Sequence, residues 1–513
     1  MRTDQSESTR RVAPRPNILF IMADQFRFDA TDLNGGWVKT PNLDRIAHEG
    51  VNFTRCYTNS PICVPARVSM ATGLYPHNTN VWSNIRHFLP KDVPTWTRAV
   101  KEAGYRTAVF GKTHLHSHSG GDLRDREDIL RACGFDVVDE IPGPRACMRI
   151  MSHMTERWQR LGLLQPYIED YRERFANKPH AVRPSVLPLE EYADVYVAGK
   201  SEDYLRSYRF EEPWFCWLSF GGPHEPWDTP EPYAGMYDPA SMPAPILAEG
   251  GEYSRPRGHL DALLANRAAD LQSAGRISNR DDAPVHHPEL EPAEIAKMRA
   301  NYAGNVTLID EQIGKVLKTV EDRGEMDNTV VIFTSDHGEM NGDYGLIYKE
   351  SFLDGAARVP LIVRTPLTAA GSSVGAAPGA RPESRAAPSC PSPVEWFDVG
   401  PTLVELAGGF IDHRQHARSL VPVVHSSEHH APRETGHRSE ALCEIWGEHM
   451  VMDGTWKMAI NLEGRPYMLF NLHEDPQERR NLAGREGYGE IETRLRLRIL
   501  ERIAESPING GCY

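Results

Sequence analysis

No stretch of the 513-residue chain is apolar for long enough to cross a bilayer, which removes membrane-spanning functions from consideration. Positive charge is also short: 57 Lys and Arg face 71 Asp and Glu, a formal net charge of -14. Nothing basic is concentrated enough to neutralise the phosphates of a nucleic acid or an anionic membrane, so neither is an expected partner. An anionic small-molecule substrate would therefore depend on a local cluster of cations rather than on the field of the whole protein. Residues 1–16 are polar and basic without an apolar segment, do not read as a secretory signal, and make a cytoplasmic enzyme the expectation. The eight cysteines (56, 63, 133, 147, 216, 390, 443 and 512) show no C-x-x-C pair and no regular spacing. They are expected to be mostly reduced and unpaired, and their spacing does not support a cysteine-built zinc site. No internal repeat is visible.

What is present is ordinary globular composition, 40% hydrophobic and 25% charged, at a length that calls for one large domain with a smaller one or insertions. Short apolar runs read as buried strands, and four of them end in a polar cluster. Residues 17–22 lead into Asp24-Gln25, and residues 107–110 into Gly111-Lys112-Thr113-His114. Residues 214–220 lead into Gly221-Gly222-Pro223-His224, and residues 329–334 into Asp336-His337-Gly338. A further run covers 360–363. Helical patterns lie between them, at residues 40–47 and from Pro292 to Val320, where Ile295, Met298, Tyr302, Val306, Ile309, Ile313 and Val316 recur at helical spacing. Continuous apolar strands alternating with helices predict an α/β fold around a large, mixed, mostly parallel sheet covered by helices. In such sheets ligands bind beyond the carboxyl ends of the strands, so four polar clusters at four strand exits are a convergent signal.

The expected organisation is a polar tail over 1–15, a catalytic domain over 16–395 with insertions near 140–210 and 225–292, and a smaller C-terminal α+β subdomain over 396–513, starting with a helix at 399–406. Residues 366–393, rich in Ala, Gly, Pro and Ser, read as a surface loop.

Cys63-Val64-Pro65-Ala66-Arg67 carries the sharpest local signal. Pro65 suits the first turn of a helix, which would put residue 63 at its N-terminus, where the dipole favours negative charge; Arg67 adds a cation one turn on. A buried structural Cys beside a surface Arg fits the pentapeptide equally well. Asp24 with Gln25 and Asp336 with His337 offer hard oxygens and an imidazole, a set better matched to Ca²⁺, Mg²⁺ or Mn²⁺ than to structural zinc. Read singly, Asp24 is also a strand-end turn residue and Asp336-His337-Gly338 a turn closed by Gly338. Lys112, His114, His224 and Lys349 supply local cations for anionic oxygens and a general acid or base. Asn84 and Thr113 are weaker candidates as hydrogen-bond donors to an ester. His77, His87 and His429-His430 read as solvated.

Taken in order, Pro16-Asn17-Ile18-Leu19, Thr40-Pro41-Asn42-Leu43-Asp44, Cys63 to Arg67 with Thr72-Gly73, Gly111 to Leu115, Thr334 to Glu339 and Leu469-Phe470-Asn471-Leu472 to Asp475-Pro476 resemble the formylglycine-dependent sulfatases and the related phosphonate monoester hydrolases of the alkaline phosphatase superfamily. The resemblance covers most of the chain. It implies an alkaline-phosphatase-like fold and oxidation of Cys63 to formylglycine by a maturation enzyme, the hydrate of which offers one hydroxyl as nucleophile. It implies one divalent ion, Ca²⁺ or Mn²⁺ with Mg²⁺ or Zn²⁺ as further options, held by Asp24, Asp336, His337, residue 63 and Gln25. It makes Arg67 the partner of the hydrate, and Lys112, His224 and Lys349 the grip on the sulfuryl or phosphoryl group. His224 or Lys349 would protonate the leaving oxygen. His114 would help the second hydroxyl lose its proton, so that the covalent intermediate collapses without attack by water. Family members often form homo-oligomers, and one is expected here. Gln25 stands where many sulfatases have a second acid, His337 where others have Asn, and Thr113 where Trp is common. These departures look more like the phosphonate monoester hydrolase and choline-sulfatase branch and imply promiscuity between sulfate and phosphate-type esters. Fewer negative charges at the ion also favour Mn²⁺ over Ca²⁺. A sulfatase is the leading expectation and a phosphonate monoester or phosphodiester hydrolase the alternative. An inactive binding protein would have lost the nucleophile or a ligand, and an unmodified cysteine hydrolase would not need the carboxylates. Trp82, His87, Trp227 and the insertions are expected to line the pocket for the organic group.

Overall fold

The computed structural model describes residues 15–84, 88–89, 93–177, 181–249, 290–368, 387–426 and 437–506. His87, His429, His430 and Cys512, much of the 225–292 excursion and most of the 366–393 loop lie outside them.

The central sheet contains β1 (Asn17–Asp24), β2 (Val51–Phe53), β3 (Arg106–Gly111), β4 (Val137–Glu140), β5 (Trp214–Pro223), β6 (Thr329–Ser335), β7 (Leu361–Arg364) and β8 (Ser389–Cys390), in the order β8-β2-β7-β6-β1-β5-β3-β4. The five strands from β6 to β4 run parallel, and β7 is antiparallel to both β6 and β2. The expected mixed, mostly parallel sheet is therefore present, although β8 forms within the segment read as loop.

The strands read as unbroken apolar runs because both faces are buried. In β1, Leu19 and Ile21 join one core while Ile18, Phe20 and Met22 join the other, and β6 divides Val331 and Phe333 from Val330 and Ile332 in the same way. The first face is covered by α2 (Ala193–Ser207) and α3 (Pro292–Asp322), the second by α1 (Cys63–Thr72) and the helices 96–102 and 399–406. Pro292 at the first turn and reciprocal capping between Glu291 and Glu294 start α3. Part of the region that reads as an insertion, α2, is thus the crossover helix leading into β5, and it packs directly on the sheet.

Four antiparallel strands, β9 (Ala441–Ile445), β10 (Glu448–Met452), β11 (Trp456–Ile460) and β12 (Pro466–Asn471), make the small C-terminal sheet. One face carries α4 (Gly489–Glu505) through Leu495 and Ile499. The other packs Ala441, Cys443, Ile445, Met450 and Met452 onto Met340, Tyr344, Leu346, Phe352 and Leu353 of the large domain. The cysteines at 56, 63, 133, 147, 216, 390 and 443 are free and buried. No helix among the described residues is long and apolar enough to cross a membrane.

Candidate active site

The four polar clusters meet at the carboxyl edge of the sheet, where α1 delivers Cys63. α1 is buried along its whole length, and its first residue, Cys63, is 1% exposed. Ile62, at the N-cap, offers no side-chain cap; instead Asn84 Oδ1 accepts from the Val64 amide at 3.0 Å. The dipole at this helix end favours an anion at residue 63.

Cys63 Sγ is 3.1 Å from His337 Nε2, 3.9 Å from Lys112 Nζ and 4.0 Å from Asp24 Oδ1. Burial pushes the thiol pKa up, but Lys112, Lys349 and His337, with a hydrogen bond from His114, hold it well below its ordinary value. Arg67 is wholly buried and binds two carboxylates at once, Nε to Asp336 Oδ2 at 2.7 Å and Nη2 to Asp24 Oδ2 at 2.9 Å. Lys112 Nζ adds a 2.5 Å contact to Asp24 Oδ2. Burial and the Cys63 thiolate act to raise the pKa of Asp24, yet Lys112, His224 and Arg67 hold it far below the carboxylate range.

With one oxygen of each aspartate taken by cations, the Oδ1 atoms remain on the side of Cys63 and His337. His337 Nδ1 lies 3.0 Å from the Gly338 carbonyl and donates to it, so that in the neutral ring the Nε2 lone pair faces Cys63; without an ion, and against the effect of burial, Asp336 and the Cys63 thiolate raise the pKa of the ring above its ordinary value. One ligand atom from each of Asp24, Cys63, Asp336 and His337 lies within 4.8 Å of the others. Two carboxylates, one imidazole with its lone pair turned inward and the residue-63 position fit a divalent ion.

Gln25 is the exception among the expected ligands. Its amide oxygen accepts from Lys349 Nζ at 2.5 Å, and its nitrogen donates to Glu225 at 3.0 Å and to Glu339. It therefore ties a lysine to a pair of carboxylates instead of joining the ligand group. Burial and the neighbouring Glu225 push Glu339 up to about 7. The Thr113 hydroxyl, expected to donate to the ester, is turned to Glu140, whereas Asn84 caps α1 with its Oδ1.

Lys112, His114, His224 and Lys349 are brought together as expected. Lys112 follows Gly111, whose φ of 109° and close approach to Ser219 (a Cβ would stand 1.8 Å from its carbonyl oxygen) exclude other residues. Burial and Lys112 hold His114 well below its usual pKa, as a neutral imidazole. His224 Nδ1 donates to the Glu225 carbonyl at 2.8 Å, fixing the ring. Residue-type reasoning missed Glu225, Glu339 and Arg145, although the first two directly follow His224 and Gly338. Arg145 pairs with Glu225 at 2.5 Å and lies over Tyr348, which in turn stacks on Trp227 at 5.8 Å. Trp227 is thereby buried against Tyr348, and Trp82 Nε1 donates to Asn80 Oδ1 at 3.2 Å. His77, read as solvated, pairs with Glu444 at 2.6 Å and Ser506 at 2.6 Å.

Comparison with known proteins agrees with this geometry. The chain is 26% identical to the multifunctional alkaline phosphatase superfamily protein PehA of Trinickia caryophylli, over 93% of each chain. It is 27% identical to a choline-sulfatase of Rhizobium meliloti, over 91% of this chain and 82% of that one. Among solved structures, the phosphonate monoester hydrolase of Agrobacterium radiobacter superposes with a TM-score of 0.71 at 26% identity, covering 96% of both chains. The Sulfatase family model matches residues 16–409, which span all the site residues above, and the chain belongs to the sulfatase family.

Proposed function

We propose that the protein hydrolyses a sulfate ester to an alcohol and inorganic sulfate, with residue 63 in its formylglycine form and a divalent ion beside it. The observation that carries this reading is the placement of Cys63 at the buried N-terminus of α1, between an Asp24-Asp336-His337 ligand group and the cations Arg67, Lys112 and Lys349. Asp24, Asp336 and His337 would hold the ion, which supplies positive charge against the ester oxygens, and formylglycine supplies a hydrated aldehyde in place of a weak thiol or alcohol nucleophile. Arg67 neutralises the two ligand carboxylates and keeps them oriented. Lys112 and Lys349 stand where nonbridging oxygens gain charge in the transition state. His224, with its Nδ1 fixed by a carbonyl, leaves Nε2 for the substrate, where the doubly protonated ring would donate to the leaving oxygen. His114 starts neutral and can accept a proton from residue 63.

A second reading, hydrolysis of a phosphonate monoester or phosphodiester at the same site, is favoured by one feature. The ligand group contains only two carboxylates, with His337 in place of an amide and Gln25 turned to Lys349. The same feature favours Mn²⁺ over Ca²⁺. The deciding experiment is a paired assay with an aryl sulfate and a phosphonate monoester, on metal-loaded protein whose residue 63 has been verified by mass spectrometry. Faster turnover of the sulfate is expected. Preference for the phosphonate selects the second reading, and inactivity toward both, with residue 63 fully converted, refutes both.

A further inference from the structure

A second group of ligating side chains lies behind the loop that carries Lys112 and His114. The chain continues as His114-Leu115-His116-Ser117-His118, and Glu140 ends β4 beside it. His116, His118 and Glu140 are all buried. His116 Nε2 is 2.7 Å from Glu140 Oε2 and His118 Nε2 is 3.1 Å from Glu140 Oε1, so both imidazoles aim the same nitrogen at one carboxylate. One ligand atom from each of the three lies within 4.8 Å of the others. The Thr113 hydroxyl reaches the same Glu140 oxygen as His118. His118 Nδ1 is buried without a partner among the described residues. The His118 ring meets the His114 ring edge to face, with centroids 4.6 Å apart.

Two imidazole nitrogens and one carboxylate, with a hydroxyl bonded to that carboxylate, are donors of the kind that a zinc ion takes. The set is richer in nitrogen than the Asp24 group, which contributes one imidazole and two carboxylates, so the two groups have different preferences. We propose that His116, His118 and Glu140 bind a divalent transition ion of the zinc class, separate from the ion at Asp24, with Thr113 or water in the fourth position. The ion fastens residues 113–118 to the end of β4 and so fixes the loop from which His114 reaches Cys63. The assignment does not depend on which ester is hydrolysed.

The test uses the full chain and Zn²⁺ itself. The protein is stripped with chelator and dialysed against low Zn²⁺, its metal content is measured, and crystals are examined by anomalous diffraction at the zinc edge. Two ions per chain are expected in the parent and one in each of His118→Ala and Glu140→Gln, with an anomalous peak between His116 and His118. A zinc content unchanged in both folded variants overturns the proposal. So does a map with density at Asp24 and none between the two histidines. The diffraction arm decides the matter even where a variant does not fold.

Discussion

Replacing Arg67 by Met tests the electrostatic logic of the site most directly. The guanidinium is fully buried, contacts one oxygen each of Asp24 and Asp336, and donates at 2.5 Å to the Lys112 carbonyl. Removing one partner of a buried ion pair costs about 3–5 kcal/mol, because the remaining charge stays desolvated. Asp24 would keep Lys112, whereas Asp336 Oδ2 would lose the cation that faces it. The expected loss in metal-free protein is therefore about 4 kcal/mol, the cost of one uncompensated carboxylate and not of two. Against a typical total of about 5–15 kcal/mol, that leaves a marginal fold. Bound metal compensates the same carboxylates, so the deficit should shrink by about 1–2 kcal/mol on loading. Arg67→Lys keeps the charge but loses the planar fork, and should fall between the parent and the Met variant. Denaturant titrations of the three proteins, each with chelator and with saturating Mn²⁺, provide the measurement. A Met variant within about 1 kcal/mol of the parent in chelator would show that Arg67 does not offset the ligand charges.

Two further outcomes follow from close packing around the same groups. At Gly143 a Cβ would stand 3.3 Å from Lys112 Nζ, so Gly143→Val should displace the lysine and raise KM about tenfold, equivalent to about 1.4 kcal/mol, with circular dichroism unchanged. Unaltered kinetics would mean that Lys112 does not hold substrate. Asp194, pushed up to about 6 by burial despite accepting from the Gly221 and Gly222 amides, binds its proton more tightly in the folded chain than in the unfolded one. Its contribution therefore worsens as pH rises from about 4 to about 6 and amounts to about 3 kcal/mol of destabilisation above that window. Asp194→Asn should remove this slope and gain relative stability at neutral pH, as read from denaturation midpoints across pH 4–8; parallel pH profiles for the two proteins would refute it.

The strands and the long α3 were legible in the sequence because burial on both sheet faces leaves unbroken apolar runs, and because Pro292 and a helical apolar spacing mark a helix start. The exits of β1, β3, β5 and β6 were legible for the same reason: polarity begins abruptly where the sheet ends. Side-chain direction was not legible. Thr113 sits between two residues of the site, yet its hydroxyl turns to Glu140, a residue 27 positions away on a strand three places across from β1. Gln25 has the oxygen for the ligand role expected of it, and tertiary packing gives that atom to Lys349. His77 shows the converse error, since only its partner Glu444, from the distant small sheet, reveals that it is held in place.

The contact between the small sheet and the large domain has a consequence for chain completion. The segment that holds Lys349 is fastened on one side by Tyr344, whose hydroxyl donates to the Gln477 carbonyl at 2.7 Å, and on the other by the Asp354 amide, which donates to Glu478 at 2.7 Å. Leu346, Phe352 and Leu353 pack on the same sheet. Every proposed ion ligand lies before residue 340, and Lys349 itself is bonded to Gln25, but the segment around it is backed at Tyr344 and Asp354 by residues beyond 440. A polypeptide that stopped short of them would carry the metal group and the helix but lose the packing behind the Lys349 segment, which makes the small sheet part of what keeps the site assembled.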